Sequence, residues 1–260
     1  GTWTKPTVGT RTSTSTQATG MSTLSDFYVA EDLTYTLTAS ATGLTGATSS
    51  TFAVTPGTAN RLMFTVQPSS VAAGAAIAPA VQVTVQDTLG NTVTSSTASI
   101  TLAITSGTGV AGATLGGTRT RAAVSGVATF ADLTIDKAGT GYTLAASASG
   151  FAAGTSVPFE VRHGPARNLV AVSGNGQTGP AASALPAPFV VAVRDSLGNG
   201  VDSARVAFRV AVGGGKLAGQ DSQVVFTDTL GSASAALTLG ATTATNTVPA
   251  TARVSRGKRM

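Results

Sequence analysis

The amino-acid sequence predicts an all-β protein built of tandem β-sandwich modules, and three observations lead to this prediction. The first is composition: only 10% of the 260 residues are charged, 31 are glycine, and threonine and valine, which favour strands, are common. The second is the alternation of apolar and polar residues along short segments, and the third is an internal repeat. The length suits two to three modules of about 100 residues each.

The repeat has the period of one sandwich module. Its matching segments and residues are separated by 107 or 108 positions: 35–41 and 142–148, Phe52 and Phe159, Gly57 and Gly164, Leu62 and Leu169, and 83–91 and 191–199. An offset near the length of one immunoglobulin-sized sandwich predicts one structural unit per repeat.

The alternation predicts strands with one buried face. Val81, Val83 and Val85 would point to one side of their strand, with polar residues between them. The strands of the middle module are predicted near residues 61–66, 81–87, 98–104, 126–131, 142–148 and 157–161. Those of the third module are predicted near residues 168–173, 189–195, 204–212, 223–227, 232–239 and 247–254.

These strands divide the chain into three parts. Residues 1–58 match only the rear half of a module, residues 59–164 form a complete module, and residues 165–260 form a module that lacks its last strand. The links at 55–59 and 162–166 are short and contain proline and glycine, so we expect the modules to form a semi-rigid rod.

Two turns contain the same residue types at the same spacing. The aspartate of each turn can accept hydrogen bonds from the following backbone N–H groups, and the glycine tolerates a positive φ. We expect the replacement of Asp87 with alanine to cost about 1 kcal/mol of stability. A structural role is predicted for six turn residues: Asp87, Gly90, Asn91, Asp195, Gly198 and Asn199.

The pattern Val-x-Val-x-Asp-x-x-Gly-Asn-x-Val at residues 191–201 and 83–93 resembles the signature of bacterial immunoglobulin-like domains of the invasin and intimin type. Residues 226–231 and 237–247 are similar to the second half of those domains. The resemblance implies tandem immunoglobulin-like sandwiches arranged as a rod on a bacterial surface or outside the cell. Their task would be spacing and display, and the family offers no catalytic residues to carry over.

No combination of residues predicts an active site, a cofactor or a metal. Cysteine is absent and His163 is the only histidine, so neither a thiol nucleophile nor a histidine-centred triad is expected. The glycine-rich loop at 174–179 is followed by prolines, whereas a phosphate-binding loop needs a helix there. Asp26, Glu31 and Asp32 form the densest acidic group, which is too sparse for a predicted calcium site. The sequence therefore predicts a protein that is not an enzyme.

The positive charge does not predict binding to nucleic acid. The formal net charge is +5, and a large part of it lies in the terminal tail at Arg253, Arg256, Lys258 and Arg259. A nucleic-acid interface would instead need basic side chains along one face, usually with aromatic residues between them. No apolar run approaches the roughly 20 residues of a membrane-spanning helix, so no membrane span is predicted.

Three functions remain open from the sequence. The first is a non-catalytic spacer in a bacterial cell-surface or secreted adhesin-like protein, whose host or cell-surface receptor would be bound by other domains. The second is a subunit of an extracellular, pilus-like filament, in which identical chains join head to tail by donor-strand complementation. In that filament the third module would present a cleft lined by Val191, Val193, Phe208 and Val210, filled by residues 2–16 of the next chain. The third is an enzyme or a sugar-binding module, for which the few aromatic residues of the sequence are thin evidence.

Overall fold

The structure, a computed structural model, describes residues 33–40, 42–242 and 248–253. All regular secondary structure in these residues is β-strand, so the prediction of an all-β protein is confirmed. No helix in this part of the chain is long and apolar enough to cross a membrane. The following residues named above lie outside the described ranges: the segment 2–16, the acidic group Asp26, Glu31 and Asp32, and the tail residues Arg256, Lys258 and Arg259.

The leading segment, residues 33–53, contains two short antiparallel ladders. Its strands are β1 (Thr34–Tyr35), β2 (Thr38–Ala39), β3 (Ala47–Thr48) and β4 (Phe52–Ala53). Strand β1 pairs with β4, and β2 pairs with β3.

The first unit, residues 61–162, contains twelve strands. They are β5 (Arg61–Val66), β6 (Val71–Ala72), β7 (Val81–Gln86), β8 (Ser99–Ile104), β9 (Leu115–Gly116), β10 (Thr120–Ala122), β11 (Val127–Phe130), β12 (Thr134–Ile135), β13 (Gly139–Tyr142), β14 (Leu144–Ser147), β15 (Gly154–Thr155) and β16 (Phe159–Arg162).

Two layers of strands enclose the core of the first unit. One layer has the order β11-β7-β5, and the other contains β10-β8-β14-β15. Strand β13 extends this second layer, because only Thr143 separates it from β14. Strand β13 pairs with β16, and β16 pairs in parallel with β6. Val81, Val83 and Val85 are fully buried between the layers, as their alternation predicts.

The leading segment repeats the last strands of the first unit. Strand β13 pairs with β16 as β1 pairs with β4, and β14 pairs with β15 as β2 pairs with β3. The rings of Tyr142 and Phe159 are 6.0 Å apart between centroids, and those of Tyr35 and Phe52 are 6.1 Å apart. The offset of 107 therefore relates residues with the same strand pairing.

The second unit, residues 168–253, contains fewer strands. They are β17 (Asn168–Ser173), β18 (Phe189–Arg194), β19 (Arg205–Arg209), β20 (Lys216–Leu217), β21 (Ser222–Phe226), β22 (Ser232–Ala235), β23 (Leu237–Thr238) and β24 (Ala250–Arg253). The order β17-β18-β22 corresponds to β5-β7-β11, and β21-β19-β24 corresponds to β10-β8-β14. Among the described residues, no strand of the second unit corresponds to β15 or β16.

An apolar cleft opens on the second unit beside β17 and β24, on the side where the first unit has β15 and β16. The cavity has a volume of about 210 Å³, and its apolar lining includes Leu169, Ala171, Phe189, Val191, Phe208, Val248 and Ala250. Of the four residues expected to line the cleft, Val191 and Phe208 line it, whereas Val193 and Val210 do not. Val193 belongs to the buried core of the second unit, and Val210 packs against that core.

Candidate functional site

The two recurring turns follow the central strands β7 and β18 and share one geometry. Gly90 has a φ of 91° and Gly198 a φ of 85°, in the left-handed region that favours glycine. The N–H of each glycine donates to a carbonyl oxygen at the start of its turn, Gly90 to Asp87 at 3.2 Å and Gly198 to Asp195 at 3.3 Å. Both turns are therefore closed by the same backbone hydrogen bond.

The Asp87 carboxylate binds both its own turn and the chain that enters the unit. Its Oδ1 accepts from the backbone N–H groups of Leu89 at 2.9 Å and Asn91 at 2.8 Å. Its Oδ2 accepts from the side-chain amide of Asn91 at 3.0 Å and from the backbone N–H of Gly57 at 2.8 Å. Because Gly57 lies in the link before β5, this buried aspartate fixes the link to the turn.

The Asp195 carboxylate repeats these contacts atom for atom. Its Oδ1 accepts from the backbone N–H groups of Leu197 and Asn199, each at 2.8 Å. Its Oδ2 accepts from the side-chain amide of Asn199 at 3.0 Å and from the backbone N–H of Gly164 at 2.8 Å. Gly164 belongs to the link between the two units, so the same device holds both links.

Hydrogen bonds keep these two carboxylates charged. Burial raises the pKa of Asp87, but the bonds from Gly57, Asn91 and Leu89 lower it by more, and the pKa falls below its ordinary value. The pKa of Asp195 is lowered in the same way, with burial opposed by the bonds from its turn and from its link. Backbone and amide dipoles thus stabilise each anion.

Asn199 also connects the second unit to the first. Its Oδ1 accepts from the backbone N–H of Ala138 at 2.9 Å, and its Nδ2 donates to the carbonyl oxygen of Asp136 at 3.0 Å. This pair of bonds imitates one rung of a β-ladder. Beside it, a Cβ atom placed on Gly74 would lie 3.0 Å from Cδ1 of Leu197, so the turn packs closely on the first unit.

His163 makes a further contact across the link. Its Nδ1 lies 2.8 Å from the carbonyl oxygen of Gly164, and its Nε2 lies 2.7 Å from Oδ1 of Asp202 in the second unit. We use the term joint for the set formed by the link 162–166, the turn 195–199, Asp202 and the segment 136–138.

The other aspartates of the described region each bind separate partners instead of gathering around a common point. Asp136 accepts from the backbone N–H and the hydroxyl of Thr114 at 2.7 and 2.8 Å. Asp228 closes a third turn by accepting from the N–H groups of Leu230 and Ser232 at 2.9 and 2.8 Å. No group of three or more His, Cys, Asp or Glu in the described residues is placed to hold a metal ion.

From the sequence, the six turn residues are expected to act within their own turns, and the hydrogen bonds of Asp87 and Asp195 to the links are not predicted. A signal was present, because Gly57 and Gly164 recur 30 and 31 residues before Asp87 and Asp195. The partners of Asn199 on the first unit carried no such signal. The side chain of Asn199 binds the backbone atoms of Asp136 and Ala138. Every residue type has these atoms, so the residue types at the two positions do not reveal the contact.

Fold and site together define a class of protein: a repeated all-β chain whose units are joined to one another by hydrogen bonds. No family model and no curated protein matches the chain. Among solved structures it is similar to invasin, a bacterial integrin-binding protein, with 22% identity and a TM-score of 0.34 over 74% of this chain and 35% of that one.

Two further solved structures are similar to the chain. Domains 1–6 of the surface layer protein SbsC share 18% identity at a TM-score of 0.30, over 87% of this chain and 29% of that one. A Ca²⁺-stabilised adhesin that helps an Antarctic bacterium bind ice shares 13% identity at a TM-score of 0.24, over 85% of this chain and 55% of that one. The chain thus spans 29% to 55% of the length of these three structures.

Proposed function

We propose that the chain is a non-catalytic spacer of a bacterial cell-surface or secreted adhesin-like protein, and that it holds binding domains located elsewhere in that protein at a distance from the cell. The observation that carries the proposal is the joint. A spacer becomes shorter on average when its units rotate relative to one another, and the joint restricts this rotation where the two units meet.

The bonds of the joint restrict two different motions. The bond from Gly164 to Asp195 fixes the direction in which the link enters the second unit. The two bonds of Asn199 to the backbone of Asp136 and Ala138 oppose rotation of the second unit about that link. Hydrogen bonds contribute about 1 kcal/mol each, or about 1.5–3 kcal/mol when one partner is charged. A bias of about 1.4 kcal/mol already changes a population tenfold.

The module boundaries are part of the same proposal. Residues 59–164 and 165–260 would each be one immunoglobulin-like module, and residues 1–58 would hold the rear half of another. Two separate hydrophobic cores support the division, one formed by residues between Leu62 and Val161 and the other by residues between Val191 and Leu237. The placement outside a bacterial cell, and a receptor bound by other domains, follow from the proposed spacer function.

The spacer function can be tested by measuring the distance between the units. The chain has no cysteine, so Ser149→Cys in the first unit and Thr229→Cys in the second, both exposed, can carry spin labels selectively. We expect a narrow distribution of label distances, because the joint holds the units in one arrangement. A distribution as broad as that of a flexible linker would overturn the spacer proposal.

A matched pair of variants assigns the narrow distribution to the joint. Asn199→Ala removes the bonds to the first unit and should broaden the distribution. Asn91→Ala alters the equivalent residue of the other turn, outside the joint, and should leave the distribution unchanged. Equal broadening in both variants would mean that the turns, and not the joint, set the distance.

The second candidate function is a filament subunit, and the cleft of the second unit favours it. In the first unit, Phe159 and Val161 of β16 cover the corresponding face and are 7% and 1% exposed. A strand from an identical chain could fill the cleft and extend a head-to-tail fibre. The donor expected from the sequence, residues 2–16, lies outside the described residues.

A peptide with the sequence of residues 154–162 is a direct probe of this cleft. If the cleft accepts a strand, the peptide should bind the chain saturably and slow amide exchange in β24. The control peptide carries Phe159→Asp and Val161→Asp, which place charges where the apolar side chains would be buried. Sedimentation then separates the functions: a filament subunit forms concentration-dependent oligomers that the peptide disperses, whereas a spacer sediments as a monomer.

A further inference from the structure

The two ring nitrogens of His163 both face groups that only accept hydrogen bonds. The carbonyl oxygen of Gly164 lies 2.8 Å from Nδ1, and the carboxylate oxygen of Asp202 lies 2.7 Å from Nε2. A neutral imidazole has one N–H and can satisfy one acceptor, whereas an imidazolium has two and can satisfy both. The surroundings of this side chain therefore fit its protonated form.

The position of His163 gives that proton a structural consequence. His163 lies in the link between the units, and Asp202 belongs to the second unit. The next residue of the link, Gly164, donates its N–H to Asp195 and accepts at its carbonyl oxygen from His163. The ring thus holds the link to the second unit at Asp202, and it also contacts the carbonyl oxygen of Gly164, whose N–H is bound to Asp195.

We propose that His163 makes the joint sensitive to pH, so that its protonated ring pins the link to Asp202 and loss of the proton loosens the second unit relative to the first. This inference rests on the proposed spacer function, since it concerns the stiffness of the same joint. It adds a proton-binding site at the only histidine of the chain.

The charges around the ring support this assignment. Burial lowers the pKa of His163, but the Gly164 carbonyl and the carboxylates of Asp202 and Asp195 raise it by more, and the pKa lies above its ordinary value. Arg162, the preceding residue, is engaged with Glu160 at 3.1 Å. Among the described groups, the charges that act on the ring are therefore negative.

The direction of the effect follows from this upward shift. Below the pKa of an unfolded histidine, about 6.5, the ring is protonated in both states and the pinning is fully present. As the pH rises through the higher pKa of the folded joint, one ring nitrogen becomes an acceptor facing an acceptor, and the pinning is lost. The bonds of Asn199 do not titrate, so the joint loosens but does not come apart.

The other link provides an internal comparison. At the position equivalent to His163, the link before the first unit has Pro56, which cannot titrate. The bond from Gly57 to Asp87 is otherwise the same as that from Gly164 to Asp195. The proposal therefore predicts pH-dependent stiffness at one link of the chain only.

Two measurements on the whole chain test the proposal. Because there is one histidine, its ring signals in an NMR titration are unambiguous, and their midpoint should lie above that of the same chain in denaturant. The spin-label pair Ser149→Cys and Thr229→Cys should then give a distance distribution that broadens as the pH rises through this midpoint. Asp202→Asn should lower the midpoint and abolish the broadening, whereas Asp221→Asn, an exposed aspartate paired with Lys216, should change neither.

Each outcome decides between the two proposals. A midpoint equal to that of the denatured chain, or a narrow distribution that stays unchanged while His163 titrates, would overturn the pH-sensitive joint and leave the spacer function intact. A broad distribution at every pH would overturn the spacer function itself. A second variant, His163→Gln, keeps a polar side chain in the link and should give a distribution that does not respond to pH.

Discussion

The first unit is closed on the face where the second unit is open, although both have the same turn and the same link. Leu62 of β5 is 2% exposed, whereas its counterpart Leu169 of β17 is only half-buried. The first unit has residues 152–155, which include β15, next to β5: the backbone N–H of Leu62 donates to the carbonyl oxygen of Ala152 at 3.0 Å, and a Cβ atom on Gly154 would lie 2.6 Å from the carbonyl oxygen of Leu62. Beside β15, Phe159 and Val161 of β16 are also buried in the first unit. Asp87 and Asp195 nevertheless make identical contacts. The comparison shows that the strands that close the sandwich and the hydrogen bond that holds the link are independent of each other.

The largest effect is expected from a substitution in β16, one of the strands that the second unit lacks. Phe159 packs against Tyr142, with ring centroids 6.0 Å apart, so Phe159→Ala would leave a cavity and cost about 3–5 kcal/mol. Amide exchange should show faster opening of the first unit and an unchanged second unit. Val157→Ala, at a residue that is 50% exposed, should cost less than about 0.5 kcal/mol. Equal destabilisation of both units would contradict their independence.

The next effect concerns the fastening of the link. Asp195→Ala leaves the N–H groups of its turn and its link without their acceptor, and we expect a loss of about 2–3 kcal/mol in the unfolding free energy of the second unit. This exceeds the cost of about 1 kcal/mol expected from the sequence for Asp87→Ala, because the sequence suggested only local bonds. Asp228→Ala is the matched control, since its carboxylate is exposed and binds its own turn but no link. A similar cost at both positions would show that the link bond contributes little.

Acid should weaken both fastenings together. The pKa values of Asp87 and Asp195 are lowered in the folded chain, so their stabilisation is present above the pKa of an unfolded aspartate, about 3.9. It is lost as the pH falls through the lower folded values. The unfolding free energy should therefore decrease below about pH 4. Double replacement with asparagine should flatten that slope in a urea-unfolding series, and an unchanged slope would refute the assignment.

The smallest effect is expected at the turn glycines. Gly198 has a φ of 85° and open space where a Cβ atom would lie, so Gly198→Ala introduces backbone strain alone and should cost about 1 kcal/mol. Thermal unfolding can measure this cost against Ser196→Ala in the same turn. At Gly90 the added Cβ atom would also lie 3.1 Å from a guanidinium nitrogen of Arg61, so Gly90→Ala should cost at least as much.

The long strands could be predicted from the sequence, while the short ones could not. The predicted strands at 61–66 and 168–173 coincide with β5 and β17, because each segment has six residues and the internal repeat relates Leu62 to Leu169. The two-residue strands β6 and β15 are too short to show a period. Strand β6 exists because it pairs in parallel with β16, far along the chain. Such a contact has no local signature.

The residues of the candidate site could be predicted from the sequence, but their hydrogen bonds to the links and to the other unit could not. Asp87 and Asp195 were expected to bind their own turns, since the spacing to the following glycine and asparagine is a local pattern. Their bonds to the backbone N–H groups of Gly57 and Gly164 span 30 and 31 residues along the chain, too far for a local pattern to predict. The joint bonds of Asn199 cross from one unit to the other, and a single sequence contains no repeated residue at Asp136 or Ala138 to reveal them.

The position of the aspartate turns also determines how the chain would respond to a pulling force. Each unit begins with an edge strand, β5 or β17, which tension from the preceding link would peel away first. The bonds from Gly57 to Asp87 and from Gly164 to Asp195 transfer that tension to the turns after β7 and β18. These are the central strands of their sheets, hydrogen-bonded on both sides. Tension on either link would therefore reach the central strand of its unit through one carboxylate.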